Sequence, residues 1–435
     1  MAAQPHIVTT EELLRNIEKQ NHMLIDARSM AAFNGWPLKN EPRGGHIKGA
    51  KSLPYKWTGY IDWLEIVKSK GITPDKSITI YGYHPDESME VASMLQRAGY
   101  DNVRLYHDFI EEWSKNDQMP MQRLTNFRHL VYPQWVNELI SGERPQTYTG
   151  ENFVICHAHY GNPSDYEKGH IPGAVSLDTL TLESEETWNR RSPGELKETL
   201  QSLGITSDTT VIFYGRFSYP DNKDEFPGKS AGHLAAIRCA LIMLYAGVED
   251  IRILNGGLTS WEEEGFEIST KNHEPVPVND FGADIPGHPE YIVDIVKAKE
   301  LLLSDKGELV SVRSWEEFIG NVSGYNYIEK TGRIPGAIFG NCGSDAYHME
   351  NYRNLDHTML EYHEVEKNWN EQGLDPQKHL AFYCGTGWRG SEAFFNAFMM
   401  GWPNISVFDG GWFEWSNDPN NPIEKGIPEK AQTIS

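Results

Sequence analysis

The sequence is poor in cysteine and contains no long apolar run. Its 435 residues include four cysteines, too few for the disulfide framework of a secreted protein. No stretch of about 18 apolar residues occurs, so no membrane-spanning helix is predicted. The first residues, Met1-Ala2-Ala3-Gln4-Pro5-His6, lack the basic and apolar parts of a signal peptide. These absences together predict a cytoplasmic protein with reduced thiols and no membrane association.

Positive charge is also in deficit. The chain has 39 Lys and Arg against 62 Asp and Glu, which gives a net charge of −23. Such a balance argues against nucleic acid as a partner. It is compatible with a cationic substrate, although acidic surfaces commonly serve solubility alone. Length and a hydrophobic content of 39% fit a globular chain of about three domains.

Three landmarks recur in the same order three times. The first is a Gly-x-Ile-x-Gly-Ala signature, the second is an apolar run that ends in Tyr followed by Gly or Cys, and the third is a glycine followed fourteen positions later by tryptophan. The signatures begin at Gly45, Gly169 and Gly332; the runs end at Gly82, Gly215 and Cys384; the tryptophans are Trp113, Trp261 and Trp415. Because the tryptophan recurs in every copy, its role is interpreted as architectural.

Each copy alternates short strand-like and helix-like segments, which predicts an α/β fold with a parallel sheet flanked by helices. The expected domains are residues 1–125, 126–275 and 285–435. In such folds the active groups lie at the carboxyl ends of the strands.

A six-residue segment, the cysteine loop (Cys384–Arg389), occurs in the third copy only. An apolar strand-like run precedes it and a helix-like run follows it. A cysteine there lies among backbone N–H groups at the positive end of a helix dipole. That setting favours the thiolate and can hold an anion beside the sulfur. Chemistry is therefore predicted in the third repeat alone.

Two insertions distinguish the copies. The second repeat carries about fifteen extra residues, including the acidic segment 221–228, and the third carries Gly320–Tyr327 before its glycine signature. Insertions beside the functional end of a sheet shape a pocket or merely decorate the surface. The pocket interpretation is favoured for the segment around Tyr325.

These signatures, with the strand–cysteine loop–helix unit and the Gly-Gly pair before the last tryptophan, resemble the rhodanese family of sulfurtransferases. The resemblance covers nearly the whole chain. It implies three tandem rhodanese-like domains, each a five-stranded parallel sheet flanked by helices, with only the third active. It also implies a covalent persulfide on Cys384 and no other cofactor.

Further segments resemble triple-rhodanese proteins, and among these the sulfurtransferases of anaerobic bacteria that form ergothioneine. These segments are Phe153–Tyr160, 220–228, Ser323–Ile328 and Gly343–Glu350. The resemblance implies transfer of sulfur from polysulfide to C2 of the imidazole of hercynine, a small cationic betaine. It leaves the oligomeric state undetermined.

The same resemblance implies roles for particular residues. Cys384 is the implied nucleophile, and Tyr325 and Thr386 are the implied proton-transfer residues. The persulfide would be held by the loop residues Gly385, Gly387, Trp388 and Arg389. Aromatic faces suit a trimethylammonium group and charged side chains suit its polar ends, so the expected substrate-binding residues are Tyr383, Glu317, Asp345, Tyr347, His348 and Trp412.

Other interpretations stay open at this point. A thiosulfate or 3-mercaptopyruvate sulfurtransferase with a thiol or cyanide acceptor is one, and a sulfur-carrier or docking protein is another. Thiosulfate-type loops carry Arg and Lys where this loop has Gly385 and Thr386, which disfavours a sulfonate donor. A phosphatase is disfavoured because one residue too few separates Cys384 from Arg389.

The remaining thiols and histidines have plainer interpretations. His157 and His159 lie beside Cys156 at an ordinary strand end, so no metal site is predicted. Cys342 is interpreted as packing rather than as a resolving thiol, and Cys239 as a core residue.

Overall fold

The computed structural model describes residues 5–217 and 232–428. The chain divides into two compact units, Met1–Arg128 and His129–Ser435. The first unit contains one large sheet and the second contains two. The acidic segment expected at 221–228 lies outside the described residues.

The first unit contains seven strands and four α-helices among its described residues. The strands are β1 (His6–Ile7), β2 (His22–Asp26), β3 (His46–Ile47), β4 (Lys51–Ser52), β5 (Ser77–Tyr81), β6 (Val103–Tyr106) and β7 (Met121–Gln122), and the helices are α1 (Thr10–Asn16), α2 (Met30–Asn34), α3 (Trp63–Ser69) and α4 (Pro85–Arg97). Five strands form a parallel sheet in the order β1-β6-β5-β2-β4, and β3 pairs with β7 antiparallel. Helix α1 begins at a capping box in which Thr9 and Glu12 exchange hydrogen bonds.

The second unit begins with a five-stranded sheet. With the strands numbered as in the next sentence, their order in this sheet is β10-β9-β11-β12-β8. The strands are β8 (Leu130–Val131), β9 (Phe153–His159), β10 (Val175–Asp178), β11 (Thr210–Tyr214) and β12 (Asp250–Leu254), and the described helices are α5 (Pro133–Ile140), α6 (Ser164–Lys168), α7 (Pro193–Ser202), α8 (Gly232–Ala246) and α9 (Gly257–Glu263). All four strand pairings are parallel.

The third sheet is also parallel and has the order β13-β17-β16-β14-β15. Its strands are β13 (Ile292–Val293), β14 (Gly307–Ser311), β15 (Ile338–Phe339), β16 (His379–Tyr383) and β17 (Ile405–Phe408), and its helices are α10 (Ile295–Leu302), α11 (Trp315–Phe318), α12 (Tyr362–Gln372), α13 (Trp388–Met400) and α14 (Gly411–Asn417). The predicted α/β fold with three five-stranded parallel sheets is confirmed.

The repeated landmarks meet in space. The central strands β5, β11 and β16 each end in a buried tyrosine. The hydroxyl of Tyr81 accepts the backbone N–H of Ile47 at 3.0 Å. Its counterpart Tyr214 accepts that of Ile171 at 2.9 Å. The glycine signature and the end of the central strand are therefore one packing unit, which explains why both recur.

Helix α8 packs against α13, and so joins the second and third sheets within the second unit. Every residue of α8 from Gly232 to Ala246 is buried, which suits a helix whose residues are apolar apart from His233 and Arg238. Among the described residues, no helix combines the length and the apolar character that a membrane span requires.

Candidate active site

The cysteine loop connects β16 to α13, as expected. Cys384 follows the last residue of β16 and is fully buried, and Gly387 caps α13 with a φ of 94°. Within residues 5–217 and 232–428, the backbone N–H groups of Gly385, Thr386 and Gly387 have no hydrogen-bond acceptor. Unpaired amides at a helix N-terminus form a binding site for an anion next to the sulfur.

The Gly410-Gly411 pair fixes the opposite face of this loop. The backbone N–H of Trp412 donates to the carbonyl of Cys384 at 2.8 Å, and that of Phe413 donates to the carbonyl of Gly385 at 2.9 Å. A Cβ on Gly411, whose φ is 50°, would stand 2.6 Å from the Cys384 oxygen. Only glycine allows this approach. Because the carbonyls are held on that side, the loop amides are free on the other.

Strand pairing brings a buried charge network to the loop. In the register of β14 with β16, Ser311 lies beside Tyr383, so the segment after β14 reaches the cysteine loop. Ser314 then begins α11 with a capping box to Glu317. The Glu317 carboxylate accepts two bonds from Arg389, both at 2.9 Å, and one from Arg313 at 3.2 Å.

This network keeps Glu317 ionised. Burial alone would raise the pKa of the carboxyl, but Arg389 and Arg313 outweigh it and lower the pKa to about 2. Two guanidinium groups therefore share one carboxylate in an interior that excludes water.

Tyr325 lies directly over the loop. Its ring occupies the space beside Gly385, where a Cβ would stand 2.2 Å from the Tyr325 ring. Its hydroxyl oxygen accepts a hydrogen bond from Nη2 of Arg389 at 2.8 Å. Burial raises the pKa of the Tyr325 hydroxyl well above its ordinary value, and Arg389 opposes part of that effect. The phenol therefore keeps its proton, and since Arg389 donates to its oxygen, that proton points to another acceptor.

Thr386 has a partner that the sequence analysis did not single out. Its side chain hydrogen-bonds to the hydroxyl of Tyr327, two positions after Tyr325 in the insertion. Thr386 is 4% exposed, so the bond is shielded from solvent. The presence of two tyrosines, Tyr325 and Tyr327, in one insertion was the available signal.

Comparison with known proteins places this site in a family. Residues 9–116, 160–264 and 295–418 match the Rhodanese-like domain. The chain belongs to the rhodanese family. The matched segments fall inside the three expected domains, whose boundaries at 125, 126, 275 and 285 are kept as a proposal.

Individual relatives extend this result. The chain is 39% identical over 417 residues to thiosulfate sulfurtransferase YnjE of Escherichia coli, covering 95% of this chain and 91% of that protein. A structure of an EanB variant in complex with hercynine has 57% identity and a TM-score of 0.96, covering 98% of this chain and 99% of the other.

A second EanB structure records a covalent state. It contains a cysteine persulfide in a tetrahedral intermediate state with ergothioneine, in a variant with tyrosine replaced by phenylalanine. Its identity is 58% and its TM-score 0.95, with coverage of 97% of this chain and 100% of the other.

The outer part of the third rhodanese domain's site contains three of the expected substrate-binding residues. Tyr347 meets the ring of Tyr325 edge-on, with ring centres 5.9 Å apart. Asp345 accepts from the backbone of Tyr347 at 2.8 Å and pairs with His348 at 2.7 Å. Asp345 and His348 are both partly exposed, so this pair is accessible at the edge of the insertion.

Three other expected substrate-binding residues are placed differently. Glu317 is fully buried and its oxygens are occupied by Arg389, Arg313 and Ser314. Tyr383 is fully buried at the position that Tyr81 and Tyr214 hold in the other rhodanese domains. These positions argue against contact with a substrate and favour support of the loop from within.

Trp412 and Trp388 are likewise inside the protein. Trp412 is fully buried and donates its indole N–H to the carbonyl of Lys330 at 2.9 Å. Trp388 is 7% exposed and donates its indole N–H to Glu183 of the second domain at 2.7 Å. The tryptophans therefore fix the loop and its neighbours, and neither presents an open face to a ligand.

A stack of aromatic rings links the second rhodanese domain to the site, and sequence reasoning missed it. Tyr160 stacks on Trp188 with ring centres 5.8 Å apart, and Trp188 stacks on Tyr327 at 5.4 Å. Tyr327 in turn lies 5.2 Å from the ring of Tyr325. No pattern within one repeat predicts this stack, because its members come from two repeats.

The other three cysteines are free thiols and buried. The Cys342 thiol donates to the carbonyl of Asp345 and accepts from Arg389 at 3.2 Å. Burial raises its pKa to about 12, although Arg389 lowers it in part. Burial also raises the pKa of Cys156 and of Cys239. Within the described residues, no cluster of three or more His, Cys, Asp or Glu residues forms a metal site.

Proposed function

We propose that this protein is a sulfurtransferase that moves sulfane sulfur from polysulfide, through a persulfide on Cys384, to C2 of the imidazole of hercynine, and so forms ergothioneine. The main support is the position of Tyr325, whose protonated hydroxyl lies against the cysteine loop and is oriented by Arg389. A loop that only passed sulfur to cyanide or a thiol would not need a proton donor there.

The first step is attack of the Cys384 thiolate on a sulfur of the polysulfide. A new S–S bond forms at Cys384, one S–S bond of the donor breaks, and the shortened polysulfide leaves with the electron pair. The persulfide keeps one negative charge. The unpaired amides of Gly385, Thr386 and Gly387 would stabilise it as fixed dipoles that need no reorganisation.

The second step joins the terminal sulfur to C2 of the imidazole. We propose that Tyr325 gives its proton to a ring nitrogen as the persulfide adds to C2, which yields a neutral tetrahedral adduct. The resulting phenolate, held by Arg389, then removes the proton from C2. The electron pair forms the C–S double bond, the S–S bond breaks, and Cys384 leaves as thiolate. The ring carbon is oxidised, and the sulfane sulfur is reduced to the level of a thione.

The other site residues have supporting roles in this proposal. Thr386, bonded to Tyr327, would orient the ring nitrogen or relay its proton. Tyr347, Asp345 and His348 lie at the accessible edge, where an aromatic face and a carboxylate would attract the trimethylammonium group. Glu317, Tyr383, Trp388 and Trp412 are proposed to position the loop rather than to bind substrate.

A thiosulfate sulfurtransferase is the second candidate, and the 39% identity to YnjE favours it. Thiosulfate is a dianion, and a loop that recognises it needs a basic side chain of its own that is free to bind it. Both Nη groups of Arg389, the only basic residue of the cysteine loop, are taken by Glu317, Cys342 and Tyr325. The loop geometry therefore favours polysulfide.

The test is incubation of the purified protein with hercynine and either polysulfide or thiosulfate, followed by mass spectrometry of the small molecules and of the Cys384 peptide. We expect ergothioneine, and one added sulfur on that peptide, with polysulfide. Sulfur on Cys384 without ergothioneine would reject hercynine as acceptor. Faster loading from thiosulfate than from polysulfide would support the second candidate. A Cys384→Ser protein is the control for uncatalysed exchange.

A further inference from the structure

Arg238 is a buried guanidinium that the proposed chemistry does not use. It lies on α8 in the second rhodanese domain, which has no cysteine loop, and its side chain is fully buried. Its Nε donates to Glu183 at 2.8 Å, and its Nη2 donates to Asp409 at 2.5 Å and to the carbonyl of Trp188 at 3.1 Å. Its Nη1 has no partner in the described part of the chain.

The unpaired Nη1 is aimed at the cysteine loop of the third domain. A Cβ built on Gly387 would stand 3.1 Å from Nη1 and 3.4 Å from the central carbon of the guanidinium. Gly387 also has a φ of 94°, in the left-handed region. Glycine at this position therefore permits both the backbone turn and the approach of Arg238.

Glu183 connects the same cluster to the next loop residue. One of its oxygens accepts from Arg238 and the other accepts the indole N–H of Trp388 at 2.7 Å. Trp388 is also the first residue of α13. The hydrogen bond to Glu183 therefore ties the start of this helix, directly after Gly387, to the second rhodanese domain.

Asp409 connects the cluster to the opposite side of the loop. It directly precedes the Gly410-Gly411 pair. The next two residues, Trp412 and Phe413, donate their backbone N–H groups to the carbonyls of the cysteine loop. Besides Arg238, it accepts from the backbone N–H of Arg190 at 2.8 Å and from the Arg190 guanidinium at 3.0 Å. The second domain thus supplies Arg190, Arg238 and Glu183, and the third supplies the groups that they hold.

We propose that Arg238 is a positioning residue for sulfur transfer, which holds the cysteine loop in its anion-binding shape from the second domain. The second domain, although it has no catalytic cysteine, is on this proposal part of the catalytic centre. The proposal rests on the persulfide step of the proposed function and is independent of the acceptor.

The test compares three full-length variants with the wild type: Arg238→Met, Arg238→Lys and Arg252→Met. Arg252 is the matched control, because it is also a buried arginine of the second domain and pairs with Asp250 and Thr147, within that domain. The measurements are the thermal midpoint and, well below it, the rate constant at which Cys384 gains one sulfur from polysulfide, by mass spectrometry.

We expect Arg238→Met to slow loading of Cys384 at least tenfold in protein that is still folded. Arg238→Lys keeps the charge but loses the planar fork, so its rate should lie between those of Arg238→Met and wild type. Arg252→Met should lower the thermal midpoint and leave the loading rate within about twofold of wild type. Wild-type loading in Arg238→Met, or equal slowing in Arg252→Met, would overturn the proposal.

A further variant covers the case in which Arg238→Met does not fold. Trp388→Phe removes only the indole N–H bonded to Glu183 and keeps most of the apolar bulk. It should slow loading at least threefold, and an unchanged rate would overturn the proposal. Wild-type protein that loads sulfur without making ergothioneine would reject hercynine as acceptor, and would leave this comparison of loading rates fully informative.

Discussion

Replacement of Glu317 by glutamine should destabilise the third domain strongly. In the wild type, one buried carboxylate faces Arg389 at 2.9 Å and Arg313 at 3.2 Å. Glutamine keeps the volume but leaves two buried guanidinium groups without a counter-charge. Breaking a buried ion pair by removing one partner typically costs about 3–5 kcal/mol.

The pKa of Glu317 gives a similar magnitude. Although burial opposes ionisation, the two arginines hold this pKa at about 2, against an ordinary 4.5. A depression of that size corresponds to about 3 kcal/mol of folding free energy when the carboxyl is charged. Because the folded pKa lies below the unfolded value, this contribution is present above pH 4.5 and is lost as the pH falls through about 2. The deficit of the variant should therefore be constant between about pH 5.5 and 8 and shrink in acid.

The assay is thermal unfolding of Glu317→Gln beside Glu300→Gln. For a domain of this size, about 3 kcal/mol lowers the midpoint by about 6–12 °C. Glu300 pairs with Lys297 at 3.0 Å on the surface, with both side chains more than half exposed, so its variant should lose less than about 1 kcal/mol. A Glu317→Gln midpoint no lower than that of Glu300→Gln would refute the reasoning.

Three further predictions concern the cysteine loop and Tyr325, the proposed proton donor. Cys384→Ser should abolish sulfur loading and turnover, whereas Cys342→Ala should keep at least half of both, as measured by ergothioneine formation; turnover in Cys384→Ser would contradict every catalytic assignment. Tyr325→Phe should lower kcat about 10²–10⁴-fold with sulfur loading on Cys384 retained, and equal losses in the two steps would argue for a structural role. Gly411→Ala places a Cβ 2.6 Å from the Cys384 carbonyl and should slow sulfur loading of Cys384. Gly373→Ala is the control, because Gly373 also has a positive φ but has no neighbour within 4 Å of an added Cβ. Equal loading rates in the two variants would refute the close approach.

Much of the fold could be predicted from local signals. The recurring Gly-x-Ile-x-Gly-Ala signature and the strand that ends in tyrosine are in contact, as the bond from Ile47 to Tyr81 shows. Because the same contact recurs between copies, the residues that form it recur as well, and comparison of the repeats reveals them. The cysteine loop was equally visible, because a strand, a cysteine, glycines and a helix follow one another without interruption.

Burial of individual aromatic and acidic residues could not be predicted. Tyr383 and Trp412 have the composition of pocket walls, yet both are fully buried. Glu317 has the charge expected of a residue that binds a cationic substrate, yet its carboxylate accepts hydrogen bonds from two buried arginines. Residue type specifies what a side chain is able to bind, whereas only packing decides whether it faces a ligand or another part of the protein.

The sequence alone therefore determined the three parallel sheets, the single cysteine loop and the position of its cysteine, since each depends on residues near one another in the chain. The tertiary structure alone decided that Arg238 and Glu183 reach the loop from another domain, and that Trp188 stacks on Tyr327. These contacts join residues more than 130 positions apart. The packing of α8 against α13 brings the second and third rhodanese domains together. The spacing of residues within one repeat does not encode this packing.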